Sequence, residues 1–217
     1  MSERRVRAVC FDVGETLIDE TRFWCEVARY AGVPEFTLAG TLGGLIERRE
    51  SHRSIFGYLQ TESVDPNLIG YRFERSDLYP DVIGTLKHLR SERYCIAIAG
   101  NQGEGVAEQI EALDLDVDVI GTAALWGAPK PEPAFFERLC QELELPAEQI
   151  VLVGDRLDND VLPAIEFGMQ AIHIRRGPWG RIQAGWPESA DVRWKIDRLG
   201  ELQETLRQIE HAIVGDQ

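Results

Sequence analysis

Residues 6–17 read VRAVCFDVGETL, and their reading decides the fold. A short apolar run ends at an acid, Asp12, with Gly14 two positions later. A run this short, without polar alternation, is what a strand buried on both faces of a parallel sheet presents. The same pattern recurs outward along the chain. It appears at 95–99 (CIAIA) before Gly100-Asn101, at 117–120 (VDVI), at 150–153 (IVLV) before Gly154-Asp155, and at 171–174 (AIHI). Helical stripes lie between and after these runs: Val82, Leu86 and Leu89; Val106, Ile110 and Leu113; Phe135, Phe136, Leu139 and Leu143; Leu202, Leu206, Ile209 and Ile213. The alternation predicts an α/β fold, a Rossmann-like parallel sheet with helices on both faces.

Residues 18–76 break the alternation. They hold no strand pattern but several helical ones, at 23–30, 38–49 and 55–59, punctuated by Pro34 and by Asp65-Pro66. A small α-helical insertion after the first strand accounts for them. The 217 residues are 44% hydrophobic and 28% charged, an ordinary globular composition. The net charge of −14 argues against nucleic-acid and anionic-membrane partners, which would present phosphate to an acidic surface. Inside the insertion seven arginines face nine acids, so it is the less acidic part. Cys10, Cys25, Cys95 and Cys140 show neither metal-binding nor disulfide spacing. They read as reduced thiols, and the short apolar run after Arg4, Arg5 and Arg7 falls below a signal-peptide core. The expected location is cytoplasmic.

Open parallel sheets bind ligands beyond the carboxyl ends of their strands. Those ends carry Asp12, Gly100-Asn101 and Asp155, with Asp160 close behind and Lys130 in a Lys-Pro-Glu-Pro segment. Asp12, Asp155 and Asp160 bring −3 to one crevice and Lys130 returns +1. The remaining −2 calls for a divalent cation, and hard oxygen ligands favour Mg²⁺.

Three stretches, in this order, resemble the motifs of the haloacid dehalogenase-like hydrolases: FDVGETL from Phe11, KPEP at Lys130 with Phe135-Phe136, and VGDRLDND from Val153. Leu78-Tyr79-Pro80 resembles the re-entry from an inserted cap. The resemblance implies a core of residues 1–17 and 77–217 with a helical cap at 18–76. It implies a Mg²⁺-dependent phosphatase of a small phosphate ester. Asp12 would be the nucleophile and Lys130 its electrostatic partner. The metal would be held by Asp12, Asp155 and the Gly14 carbonyl. Thr16 and Asp160 would support them from behind, with Asp160 orienting Lys130.

Two positions depart from the family pattern. Gly14 stands where phosphatases of this family carry a second Asp for proton transfer. Gly100 stands where they carry a Ser or Thr on the phosphoryl group. Asn101 and the backbone N–H groups from Gly100 to Gly105 are left to cradle the anion. Glu15 reads as a solvated loop acid, able to replace the missing Asp only if it turns inward. The main alternative is a catalytically inactive relative that binds or regulates. Dehalogenase chemistry is disfavoured by the retained Asp155 and Asp160, and phosphonate cleavage by the lack of any lysine in 18–76. By analogy the cap reads the leaving group, through residues such as Arg22, Phe23, Trp24, Arg53 and Tyr58. The stretch from Trp179 to Pro187 reads as a structured loop.

Overall fold

The computed structural model describes residues 4–63 and 70–215; Asp65-Pro66 lies outside them. Six parallel strands form one sheet in the order β3-β2-β1-β4-β5-β6. They are β1 (Ala8–Phe11), β2 (Cys95–Gly100), β3 (Val119–Thr122), β4 (Ile150–Gly154), β5 (Gln170–Ile174) and β6 (Trp194–Ile196). β1 is central, flanked by β2 and β4. The chain runs outward from β1 to β3 and then returns to β4 on the other side. The order therefore reverses at β1, and the ends of β1, β2 and β4 open onto one crevice.

The period of two along each strand sorts the core into two layers. Val9 and Phe11 join Ile96, Ile98, Val151 and Val153 on one face, under α4 (Val82–Ser91) and α10 (Leu202–Gly215). Ala8, Cys10, Ala97 and Ala99 face the other way. Small side chains there make room for Phe135, Phe136 and Leu139 of α7 (Pro133–Leu143). Smaller helices α5 (Val106–Glu111), α6 (Ala123–Trp126) and α8 (Leu162–Phe167) complete the connections.

After β1 the chain enters α1 (Thr21–Ala31), α2 (Glu35–Glu47) and α3 (Ile55–Leu59). Their apolar faces form a third cluster: Val27, Leu38, Leu42, Leu45, Ile46 and Ile55. It is closed by Trp179 of α9 (Gly177–Gln183), with Ile182 packed alongside. Arg49 adds a paired contact to Glu188, at 2.7 and 2.8 Å, and lies over the Trp186 ring. The stretch read as a loop is thus a short helix that carries Trp179, followed by a turn that carries Trp186, and these two rings fasten the inserted helices to the sheet. Gly177, Pro178 and Gly180 hide the helix in the sequence; Pro suits its first turn.

Two further differences are local. β3 begins two residues later than its apolar pattern, because Asp118 is spent on the Ile96 N–H (2.8 Å) and on Arg90 (3.0 Å). β6 escapes the pattern because it has three residues, two of them only half-buried. Among the described residues no helix is long and apolar enough to cross a membrane, and all four cysteines are free.

Candidate active site

Asp12 leaves the sheet as its last hydrogen bond is made, donating its N–H to the Val153 carbonyl at 2.9 Å. Its side chain then turns into the crevice. Lys130 Nζ lies 2.5 Å from Asp12 Oδ1 and 2.5 Å from Asp160 Oδ1, and all three residues are buried. One ammonium thus bridges two carboxylates contributed from far apart in the chain. Asp155 completes the group: Asp12, Asp155 and Asp160 each bring an oxygen within 4.8 Å of the others.

Each side chain is held from behind. The Asn101 carboxamide grips the Lys130 backbone on both sides, donating to its carbonyl and accepting its N–H, each at 2.7 Å. The Lys130-Pro131 peptide is cis. Asp160 sits on a wide turn, Leu157–Val161, where its Oδ2 accepts the Arg156 N–H at 3.1 Å. Gly154 allows this approach, since a Cβ there would lie 2.6 Å from the Asp160 carboxyl carbon. The Asp155 carbonyl accepts from the buried His173 Nε2–H at 2.9 Å. Burial pushes His173 down to about 4, so it stays neutral. Thr16 is buried, and its carbonyl accepts from Arg176.

The electrostatics follow from too many acids in a dry place. Burial pushes Asp12 up to about 6 although Lys130 pulls against it. Burial, then Asp160 and Asp12, hold Asp155 well above the usual carboxylate range. Burial alone would lower Lys130, but Asp12 and Asp160 outweigh it and keep the ammonium charged. Asp155 Oδ2 is buried with no hydrogen-bond partner among the described residues. An uncompensated carboxylate oxygen beside two more carboxylates is a group that could hold a cation. Removing the ammonium should expose that imbalance. Lys130→Met is expected to destabilise the metal-free protein by about 3–5 kcal/mol, as loss of one partner does in buried ion pairs. An unshifted denaturant midpoint would contradict this.

Glu15 is not a solvated acid. It is buried, in the left-handed conformation (φ 53°). It accepts from the Tyr79 hydroxyl at 2.5 Å and from the Glu20 N–H at 3.2 Å. Its side chain lies on Gly177. One carboxylate oxygen therefore ties the loop after β1 to Tyr79 and the other holds the Glu20 N–H at the entry to α1, while the side chain packs on Gly177.

The two departures are filled by residues the motif reading passed over. A Cβ built on Gly14 would fall on the Glu20 carboxylate, 2.8 Å from its carboxyl carbon. Burial, then Glu15 and Asp12, push Glu20 up to about 8. A Cβ built on Gly100 would fall on the Gln102 carboxamide oxygen and lie 2.8 Å from Asp12 Oδ1. The sequence signals the spaces, as glycines, but not their occupants.

The residues expected to read a leaving group are spread along the inserted helices. Arg22 is bound to Asp77 (2.9 Å) and to the Arg72 carbonyl (2.7 Å), with Tyr71 beneath it. The exposed Tyr58 donates to Glu50 at 3.0 Å. Phe23 packs on Trp24 and Tyr71. Trp24 meets Trp179 and His52, and Arg53 follows His52 on the same turn. A cavity of about 430 Å³ opens between α1 and α2, lined by Glu15, Trp24, Phe36, Leu38, Tyr79 and Pro178 among others. Asp12, Lys130 and Asp155 are not in its lining.

Residues 6–168 match the model of a family described as haloacid dehalogenase-like hydrolase. The chain is 28% identical to glyceraldehyde 3-phosphate phosphatase of Methanopyrus kandleri, over 94% of this chain and 98% of that protein. It is 24% identical to the protein of that name from Pyrococcus furiosus, over 94% of each. Among solved structures, a HAD phosphatase from Thermococcus onnurineus superposes with a TM-score of 0.62 at 24% identity, over 93% of this chain and 98% of that one. With three quarters of its length under the family model and the acids gathered at the β1 and β4 ends, the chain belongs to the haloacid dehalogenase-like hydrolases.

Proposed function

We propose that the protein is a phosphatase of a small phosphorylated metabolite, working through Asp12. The observation that carries this reading is the Lys130 ammonium bridging Asp12 and Asp160, beside an Asp155 oxygen without a partner. The relatives' names support a small phosphate ester, and glyceraldehyde 3-phosphate is the first substrate to try. Four free cysteines support a reducing, cytoplasmic setting.

The donor set fits Mg²⁺: all-oxygen, over-acidic, and with a buried oxygen left over. Asp12, Asp155 and the Gly14 carbonyl would hold it. When bound, it would neutralise charge on the phosphoryl oxygens.

The remaining steps belong to the chain's own residues. An Asp12 carboxylate oxygen attacks phosphorus, and the ester P–O bond breaks with its electron pair going to the leaving oxygen. Lys130 balances charge on Asp12 and the phosphoryl group. The Glu20 carboxyl, in the space over Gly14, gives its proton to the leaving oxygen. Its carboxylate then takes a proton from water, which attacks the aspartyl-phosphate and releases phosphate and Asp12. Residues 18–76 act as the cap that keeps bulk water from this sequence.

The test is phosphate release from a panel of small phosphate esters, with and without a chelator. Release with Mg²⁺ that stops on chelation is expected. A panel silent at every pH from 5 to 9 would remove the reading.

A further inference from the structure

Gly100 ends β2 directly beside Asp12, and its missing side chain creates a specific space. A Cβ there would lie 2.8 Å from Asp12 Oδ1 and would collide with the carboxamide oxygen of Gln102. Gln102 therefore folds back over the end of its own strand, toward the nucleophile. Its backbone is pinned, since its carbonyl accepts the Ala124 N–H at 3.2 Å. Its carboxamide is not: Oε1 is buried and has no hydrogen-bond partner among the described residues. Asn101 next to it is the opposite case, with both ends of its carboxamide used on the Lys130 backbone.

A buried amide oxygen with nothing to bond to is costly, so its retention beside a catalytic carboxylate asks for a ligand. Asp12 stands beside it with the Lys130 ammonium on the same carboxylate, so the carboxamide N–H₂ has a natural use in donating to an anion held against Asp12. Rotation about the last side-chain bond exchanges the two ends of the amide at no steric cost. A shorter side chain on a Gly100 replacement and the Gln102 carboxamide cannot share the space, which links the two positions physically.

We propose that Gln102 is a phosphoryl-binding residue, its carboxamide donating to a non-bridging oxygen of the substrate phosphate and of the product phosphate. The proposal rests on the phosphatase reading and adds to it the group that binds the anion from the β2 side. Asn101, by contrast, positions Lys130 and does not bind the anion through its side chain. Backbone N–H groups of the loop after β2 complete the cradle.

The experiment is calorimetric titration of inorganic phosphate into the full-length protein with Mg²⁺ present, so that no turnover is required. Gln102→Ala is expected to weaken binding roughly tenfold, the value of one hydrogen bond to a charged partner. The double variant Gly100→Ser, Gln102→Ala is expected to recover most of the loss, because the vacated space admits a serine hydroxyl next to Asp12. Gly100→Ser alone is expected to bind worse than the parent, since its Cβ displaces the carboxamide. Equal affinity in the parent and in Gln102→Ala overturns the assignment while leaving the phosphatase reading intact. So does a loss in Gln102→Ala that serine cannot repair while the thermal midpoint stays at the parent's value. No phosphate binding by the parent overturns both. A thermal midpoint that falls in Gln102→Ala and returns with serine still supports the assignment only if phosphate affinity returns as well.

Discussion

Asp12→Asn is expected to abolish phosphate release, with kcat falling on the order of 10⁴–10⁶-fold for every substrate, because a carboxamide is no nucleophile toward phosphorus. The loss is expected not to depend on the leaving group, since the missing group acts in every first step. Folding should survive the change. Asp12 sits at about 6 in the folded protein against an ordinary 3.8, chiefly through burial. A carboxyl whose value is raised by folding adds stability below its unfolded value and loses that contribution as pH rises through the folded one. In metal-free protein the parent's own stability should thus decline between about pH 4 and pH 6 more steeply than that of Asp12→Asn. Two measurements settle it: steady-state phosphate release, and thermal midpoints across that pH window with chelator present. Residual turnover within a hundredfold of the parent would remove Asp12 from the first step. An unfolded variant would be read instead through Asp12→Glu, which keeps the charge but moves the oxygen by about one methylene.

Asp12 and Asp155 were readable because each stands where a buried strand must end, and Lys130 and Asp160 because they sit in the KPEP and VGDRLDND segments. A parallel strand that is apolar throughout can turn polar only where it leaves the sheet, so an acid after VRAVCF or IVLVG marks a crevice. The five longer strands and the main helices were legible for the same reason, since periodicity reports burial. What stayed hidden has a different cause. Glu20 and Gln102 reach the crevice from beyond the strand ends, through turns whose direction is set by tertiary packing. In the sequence they are polar residues in polar surroundings. Glu15 was misread as solvated because its burial comes from Tyr79 and Gly177, which are distant in the chain. The helix Gly177–Gln183 was missed because two glycines and a proline outweigh its short apolar pattern, until Trp179 finds the inserted helices. Glycine was informative in another way. Gly14, Gly100, Gly154 and Gly177 each mark a place where another residue's side chain presses on the backbone. The glycines thus mark the spaces in the sequence, while their occupants, Glu20 and Gln102, are set by the tertiary packing.

Glu20→Gln should lose activity in proportion to how badly the leaving oxygen needs a proton. For alkyl phosphates kcat/KM is expected to fall by about 10²–10⁴, the usual worth of general acid help. For p-nitrophenyl phosphate, whose phenolate leaves unaided, kcat/KM should stay within a few-fold of the parent. Its kcat should still fall, because hydrolysis of the aspartyl-phosphate needs Glu20 as base whatever the substrate was. The variant should therefore give a burst of one p-nitrophenol per protein before a slow steady state. The pH dependence has a definite sign. Burial, Glu15 and Asp12 push Glu20 up to about 8, so it holds its proton at neutral pH. A cation at Asp12 cancels that neighbour's share, so the working value lies between 8 and the ordinary carboxyl range. Above it the proton is gone, and kcat/KM for alkyl phosphates must decline in the parent but stay flat in Glu20→Gln. The overlap of Glu20 with a side chain at position 14 supplies an independent check. Gly14→Asp should help only when Glu20 is shortened to Ala, since both carboxyls claim the same space. If Glu20→Gln lost the same factor on every leaving group without a burst, Glu20 would be holding the loop rather than moving the proton. In that case the space over Gly14 would be structural, and the acid would have to enter with the substrate or as water.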